Sequence, residues 1–152
     1  MNTIAKPKGC TSFRLRSMSR LVSRHYDGYL AASGLKVTQY SLLSHLVKLS
    51  PIRPVDLAGK MGLDASTLTR NLKPLMLAGY VAQGEGADAR SRLVTITDSG
   101  RDKHAQAHAQ WKAAQSSLNA LMGTERVVAL HALLDDMVDV FSQAGLTDDS
   151  TD

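Results

Sequence analysis

The side chains whose types and spacing could do chemistry fall into four sets. The first is Ser66, Thr67, Thr69, Arg70 and Lys73. At helical spacing these fall largely on one side, while Leu68, Leu72 and Leu75 fall on the other. Short hydroxyls at a helix N-terminus suit phosphate contacts and close approach to base edges, and an arginine is long enough to grip guanine with two hydrogen bonds. Taken alone, such a face could equally be solvated. The second set is Asp88-Ala89-Arg90-Ser91-Arg92, in a polar stretch between two β-prone runs. An arginine at a hairpin tip can enter the minor groove, where negative potential concentrates, and a carboxylate two residues away can hold its guanidinium in a fixed orientation. A surface salt bridge is the alternative. His104 and His108, four residues apart, share a helix face and have metal-ligand spacing, but no third ligand lies near them and no metal is expected. Cys10 stands near Lys8 and Arg14 at the start of a helical stretch, where cations favour thiolate. It is either a redox centre or an incidental thiol. No Gly-rich phosphate loop, G-x-S-x-G elbow or cluster of three metal ligands occurs, so the chain does not read as an enzyme and implies no cofactor.

The elements that must hold the first two sets follow from patterning. Leu15, Met18, Val22, Tyr26 and Tyr29 mark one face of a helix over residues 11–32, with Gly34 as a left-handed cap. A second helix spans 39–49 behind Thr38 as N-cap and stops at Ser50-Pro51. A short third helix begins at Pro54 and ends at Gly62. After the turn Gly62-Leu63-Asp64, Asp64 caps a fourth helix that ends at Gly79, with Pro74 bending or dividing it. Two helices joined by a tight glycine-containing turn form a helix-turn-helix. Strands at 80–82 and 93–97 enclose the polar loop and make a hairpin wing with a mobile tip. A long helix over 98–122, capped by Thr97 or Asp98, and a final helix from Thr124 through Phe141 complete the chain. The fold class is mainly α with a small β-hairpin: a winged helix-turn-helix lobe at 35–97, and a helical dimerisation region formed by 1–34 with 98–152.

The charge is divided in the same way. Residues 1–97 carry 14 Lys and Arg against 5 Asp and Glu, whereas residues 98–152 carry 4 against 9. A basic first part with an acidic last part points to a polyanion partner for the first part only. The composition, 43% hydrophobic and 21% charged, is that of an ordinary globular chain. With no long apolar run and no signal-like N-terminus, a cytoplasmic protein with no membrane partner is expected. The apolar faces of the first and last helices have no further element to cover them. Val127, Val128, Leu130, Leu133, Leu134, Val138 and Phe141 suggest pairing with a second copy, an intramolecular bundle being the alternative.

The stretches GLKVTQYSLLSHL, PVDLAGKMGLDASTLTRNLKPLMLAGYV and DARSRLVTITDSG, in this order and spacing, resemble the MarR family of bacterial regulators. The resemblance implies an obligate homodimer with intertwined first and last helices. It implies a palindromic double-stranded DNA operator, usually under repression, with residues 66–73 in the major groove, Arg90 at the wing tip and Asp88 as its partner. Arg92 and Lys73 join this DNA-binding set. The resemblance further implies a small aromatic acid or phenol as effector, bound between the dimerisation helices and the DNA-binding lobe. Arg14 and His25 lie at the edge of the first helix's apolar face, unlike Arg16, Arg20 and Arg24. Arg14 is therefore a candidate partner for an effector carboxylate, a salt bridge to the partner chain being the alternative. Met18, Tyr40, His45, His108 and Trp111 could line the same space, with core packing the default for Tyr40 and Trp111. Redox sensing through Cys10 is the alternative mode of control.

Overall fold

A computed structural model describes residues 4–88 and 91–146. In chain order the elements are α1 (Thr11–Leu30), a 3-10 turn (Ala31–Ser33), α2 (Val37–Leu49), α3 (Pro54–Met61), α4 (Ala65–Leu77), β1 (Val81–Gln83), β2 (Val94–Ile96), α5 (Asp98–Met122) and α6 (Thr124–Gln143). The helix-turn-helix, the hairpin and the long helix are those expected from the pattern. No helix among the described residues is long and apolar enough to cross a membrane.

The core lies where α2 meets α1, α4 and α5. Leu30, Leu42, Leu43, Leu46, Leu57, Leu68, Leu75 and Val94 are fully buried there. Burying one such side chain stabilises the fold by about 1.5–3 kcal/mol relative to exposure. α2 is thus apolar on most of its circumference because α1, α3, α4, β2 and α5 all pack against it.

Four local expectations are corrected. α1 ends at Leu30 and tightens into the 3-10 turn before Gly34, which has the left-handed φ of 75°. α2 begins at Val37, two residues early, and Thr38 is not its cap. The Asp27 carboxylate of α1 accepts the Val37 N–H at 2.7 Å, and the Gln39 side-chain oxygen accepts the Lys36 N–H at 2.8 Å. A donor left orphaned at a helix start is here satisfied from another helix. Pro74 does not divide α4, which runs unbroken through it. Its missing N–H leaves one carbonyl of the preceding turn without its intrahelical donor. Finally, β1 and β2 are three residues each, with Val81 opposite Ile96, Ala82 opposite Thr95 and Gln83 opposite Val94.

A third segment joins this sheet. Ile52 exchanges both backbone hydrogen bonds with Val94, at 3.0 and 2.8 Å, and the Ser50 hydroxyl accepts the Ile96 N–H at 2.9 Å. A bridge of one residue beside Pro51 has no period by which sequence could reveal it. Its effect is to anchor the base of the wing to the end of α2.

Candidate nucleic-acid interface and effector cleft

The turn between α3 and α4 is built by backbone hydrogen bonds. Gly62, at φ 63°, lies in the left-handed region where only glycine is free of Cβ strain. Leu63 N–H donates to the Ala58 carbonyl at 2.9 Å, and Gly62 N–H donates to Gly59 at 3.3 Å. These are the two bonds of a Schellman ending. The chain then reverses directly into Asp64, whose carboxylate accepts the Thr67 N–H at 2.7 Å and the Ser66 hydroxyl at 2.8 Å. The Thr67 backbone bond, followed by the hydroxyl bonds, holds the Asp64 carboxyl below the usual carboxylate range. Because the folded state favours the charged form, the cap's contribution is present above the unfolded value and lost as pH falls through the folded one. Asp64→Ala is expected to lower the thermal midpoint near neutrality, and the gap to the parent should close in strong acid. Circular-dichroism melts over a pH series would show it, and a gap that is constant down to the lowest pH would contradict it.

With its first turn fixed, α4 buries Leu68, Leu72 and Leu75 and exposes Ser66, Thr69, Arg70 and Lys73; Thr67 is half-buried. The Thr69 hydroxyl donates to the Ala65 carbonyl at 2.9 Å, and Arg70 donates to the Thr67 hydroxyl at 3.2 Å. Among the described residues the ion pairs are Lys36 with Asp27 and Arg53 with Asp56, so neither Arg70 nor Lys73 is in an ion pair there, although Arg70 is near enough to Asp64 to favour its charged form. The exposed side of α4 therefore offers hydroxyls and two cations to an incoming anion.

In the wing, the Asp88 carboxylate accepts the Ser91 N–H at 2.8 Å and the Ser91 hydroxyl at 2.7 Å. Arg92 is exposed, with its Nε 3.4 Å from the Asp88 carbonyl. Arg90, the expected tip arginine, lies outside the described residues, and so does its expected pairing with Asp88. The loop glycines have a steric cause: a Cβ on Gly84 would stand 1.5 Å from the Ser91 carbonyl oxygen, and one on Gly86 would stand 1.9 Å from the Ser91 hydroxyl.

Behind this surface, a cleft of ≈ 510 Å³ opens between α2 and α5. The structure brings Tyr40, His108 and Trp111 together there, as expected, and adds His104 and Lys48. The Tyr40 ring stacks on His104, with centroids 5.0 Å apart, and on Trp111 at 5.8 Å. The Tyr40 hydroxyl lies 3.0 Å from His108 Nδ1, and the Ser44 hydroxyl 2.9 Å from His104 Nε2. Sequence reasoning missed His104 and Lys48 as cleft residues; their i,i+4 relation to His108 and Ser44 was the available signal.

The other candidates do not line this cleft. Arg14 is exposed and donates to the Lys8 carbonyl at 3.0 Å. Met18 is exposed on α1. His25 Nε2 sits 3.1 Å from the Ala114 carbonyl, and His45 Nδ1 sits 2.7 Å from the Ser41 carbonyl on its own helix. Cys10 is an exposed free thiol at the N-cap of α1. No group of three or more His, Cys, Asp or Glu able to hold a metal occurs among the described residues.

The sequence profile of the MarR family matches residues 35–84. Among solved structures, the chain is similar to the transcriptional regulator MosR of Mycobacterium tuberculosis in complex with DNA. The two share 32% identity and a TM-score of 0.72, over 87% of this chain and 98% of that one. It is also similar to a mutant of Escherichia coli MarR complexed with operator DNA, at 26% identity and a TM-score of 0.70, over 82% of this chain and 91% of that one. A curated relative, the HTH-type transcriptional regulator YwoH of Bacillus subtilis, is 28% identical over 91 residues, which span 60% of this chain and 66% of YwoH.

Proposed function

The chain belongs to the MarR family, and from that premise we propose that it is a DNA-binding transcriptional regulator acting as a homodimer on a palindromic operator. The observation that carries this reading is the capped helix α4, whose exposed Arg70 and Lys73 are in no ion pair among the described residues. Helix α4 enters the major groove, where Arg70 reads a base edge and Ser66, Thr67, Thr69 and Lys73 contact phosphate or bases. The wing carries Arg90 to the adjacent minor groove, with Asp88 orienting it and Arg92 on the backbone. The similarity to MosR and MarR, both solved with DNA, supports the same mode here. We place the protein in the cytoplasm and assign it no enzymatic activity.

The reading extends to repression relieved by a small aromatic acid or phenol held in the α2–α5 cleft. Tyr40, Trp111 and His108 supply the apolar and hydrogen-bonding walls, and Lys48, rather than Arg14, is the cation at hand. An effector releases DNA only by preferring a state whose two recognition helices are misspaced for the operator. One observation favours the alternative, a redox switch: the Cys10 thiol is exposed and open to oxidants.

The test is an operator shift assay across a salt series. Arg90→Ala is expected to leave fold and dimer intact, weaken operator binding and reduce the salt slope by about one ion. A folded Arg90→Ala with parental affinity and slope would remove the wing from the interface. A parent with no salt-dependent duplex binding would remove the function.

A further inference from the structure

The polar groups lining the α2–α5 cleft are one-sided. Lys48 is a cation, and His104 and His108 can become cations. The remaining polar lining groups are Trp111 and the hydroxyls of Tyr26, Tyr40, Ser41 and Ser44, and among the described residues no aspartate or glutamate lines the cleft. The charged groups nearby do not change this. Asp27 of α1 is committed to the Val37 N–H and, at 3.9 Å, to Lys36. On α5, Lys103 donates to the Ser33 carbonyl, Arg101 reaches the Val47 carbonyl at 3.4 Å, and Asp102 and Lys112 are exposed outside the cleft. On α2, His45 is turned to its own helix.

The His104 and His108 rings have centroids 6.2 Å apart in the cleft that Lys48 also lines. Burial, and then the neighbouring His108, push His104 below the usual histidine value. A bound anion would offset both effects, since it supplies the missing counter-charge and can accept the hydroxyl protons of Tyr40 and Ser44, which bond to the rings. The stacked Tyr40, His104, His108 and Trp111 rings favour a flat occupant.

We propose that this cleft binds a planar aromatic carboxylate together with a proton, which is taken up by the His104–His108 pair, so that the effector acts as a sensor of acid and anion jointly. The proposal rests on the effector reading given above and adds the linkage. Its sign follows from the charge of the anion, which favours the protonated imidazole. The anion raises the imidazole values, so affinity is highest below the free-protein value and is lost as pH rises through the liganded one. Because the two rings also bond α2 to α5, the occupant acts where the DNA-binding lobe meets the long helix.

The experiment uses the full chain and benzoate, which stays ionised across the range. Binding is followed by Trp111 fluorescence and thermal shift, and the rings by histidine NMR, all without DNA. Benzoate is expected to bind about 10-fold tighter near pH 6 than near pH 7.5, with the His104 and His108 titrations moving upward when it is present. His104→Gln with His108→Gln, which retains hydrogen bonding but cannot titrate, should flatten the profile. Benzoate binding of equal strength at both pH values, or an unchanged profile in the double variant, overturns the linkage and leaves the effector reading standing. No benzoate binding even near pH 6 overturns the proposal. If another aromatic acid then releases operator without perturbing Trp111, the effector reading survives and its site lies elsewhere.

Discussion

A chain ending at Gly123 is expected to lose the proposed dimer and operator binding together. Helix α6 has 20 residues, of which Val127 alone is buried. Its main contact is with α5. Leu133, Val138 and Phe141 are each more than half exposed. A helix of this length gains most of its stability from packing, and a single covered side chain does not supply it. Helix α1 also exposes apolar residues, among them Phe13 and Leu21, so one isologous contact between two copies could cover both faces. The two half-sites of an operator are bound by one particle only if the dimer exists. Operator affinity should therefore fall by about 100-fold or more, the scale of a lost second attachment. Sedimentation velocity and an operator shift assay on the same sample measure both effects. Val138→Asp with Phe141→Asp, which keeps the full length, should dissociate the dimer without removing the helix. A truncated chain that sediments as a dimer, or a monomer with full operator affinity, would sink the assignment of α6.

The second large effect is expected from Gly100→Ala. Gly100 is buried in the first turn of α5, and a Cβ there would stand 2.1 Å from the Tyr80 carbonyl oxygen and 2.8 Å from Ile96 Cγ1. Neither neighbour is free to retreat. The Tyr80 carbonyl accepts the Thr97 N–H at 3.1 Å, and Ile96 is a buried strand residue whose own N–H is held by Ser50. Thr97 is also the α5 cap: its hydroxyl accepts the Gly100 N–H at 3.0 Å and donates to the Gly79 carbonyl at 2.6 Å. One added methyl thus presses on the junction of recognition helix, wing and long helix. Overpacking of this kind costs about 3 kcal/mol, which lowers the thermal midpoint by roughly 10 °C in a chain of this size. Operator binding should weaken with it, because the wing base moves relative to α4. A melt within a degree or two of the parent would show that the close approach is not real.

These two predictions draw on different sources of information. The α6 argument was already legible in sequence. Val127, Val128, Leu130, Leu133, Leu134, Val138 and Phe141 repeat at helical spacing, and the structure buries Val127, half-buries Leu130 and leaves the other five exposed. The Gly100 argument was not legible. A glycine one turn into a helix looks like a weak helix former, and only the approach of the Tyr80 carbonyl gives it a purpose. The α2–α5 cleft divides similarly. Tyr40, His108 and Trp111 were identifiable as candidates, but helical projection also favoured Arg14, because a projection sees one helix and not the chain before it. The Lys8 carbonyl, on the segment preceding α1, takes the Arg14 guanidinium.

By itself, then, the sequence determined whatever depends on neighbours in the chain. That covers the order of the helices, the Asp64 cap, the glycine turn at Gly62, and the division between the leucines of α4 and its exposed Arg70 and Lys73; the α5 cap was narrowed to Thr97 or Asp98, and the structure chose Thr97. Each of these rests on local backbone sterics, hydrogen bonds spanning a few residues, or a period of 3.6, all of which are written in consecutive positions. Tertiary structure alone decided what depends on residues far apart in number. Asp27 starts α2 ten positions later, Ile52 pairs with Val94, Ser44 meets His104, and Tyr80 requires Gly100. The physical reason is that each of these contacts is made by a single donor, acceptor or atom pair, which has no period and leaves no repeated mark on the chain.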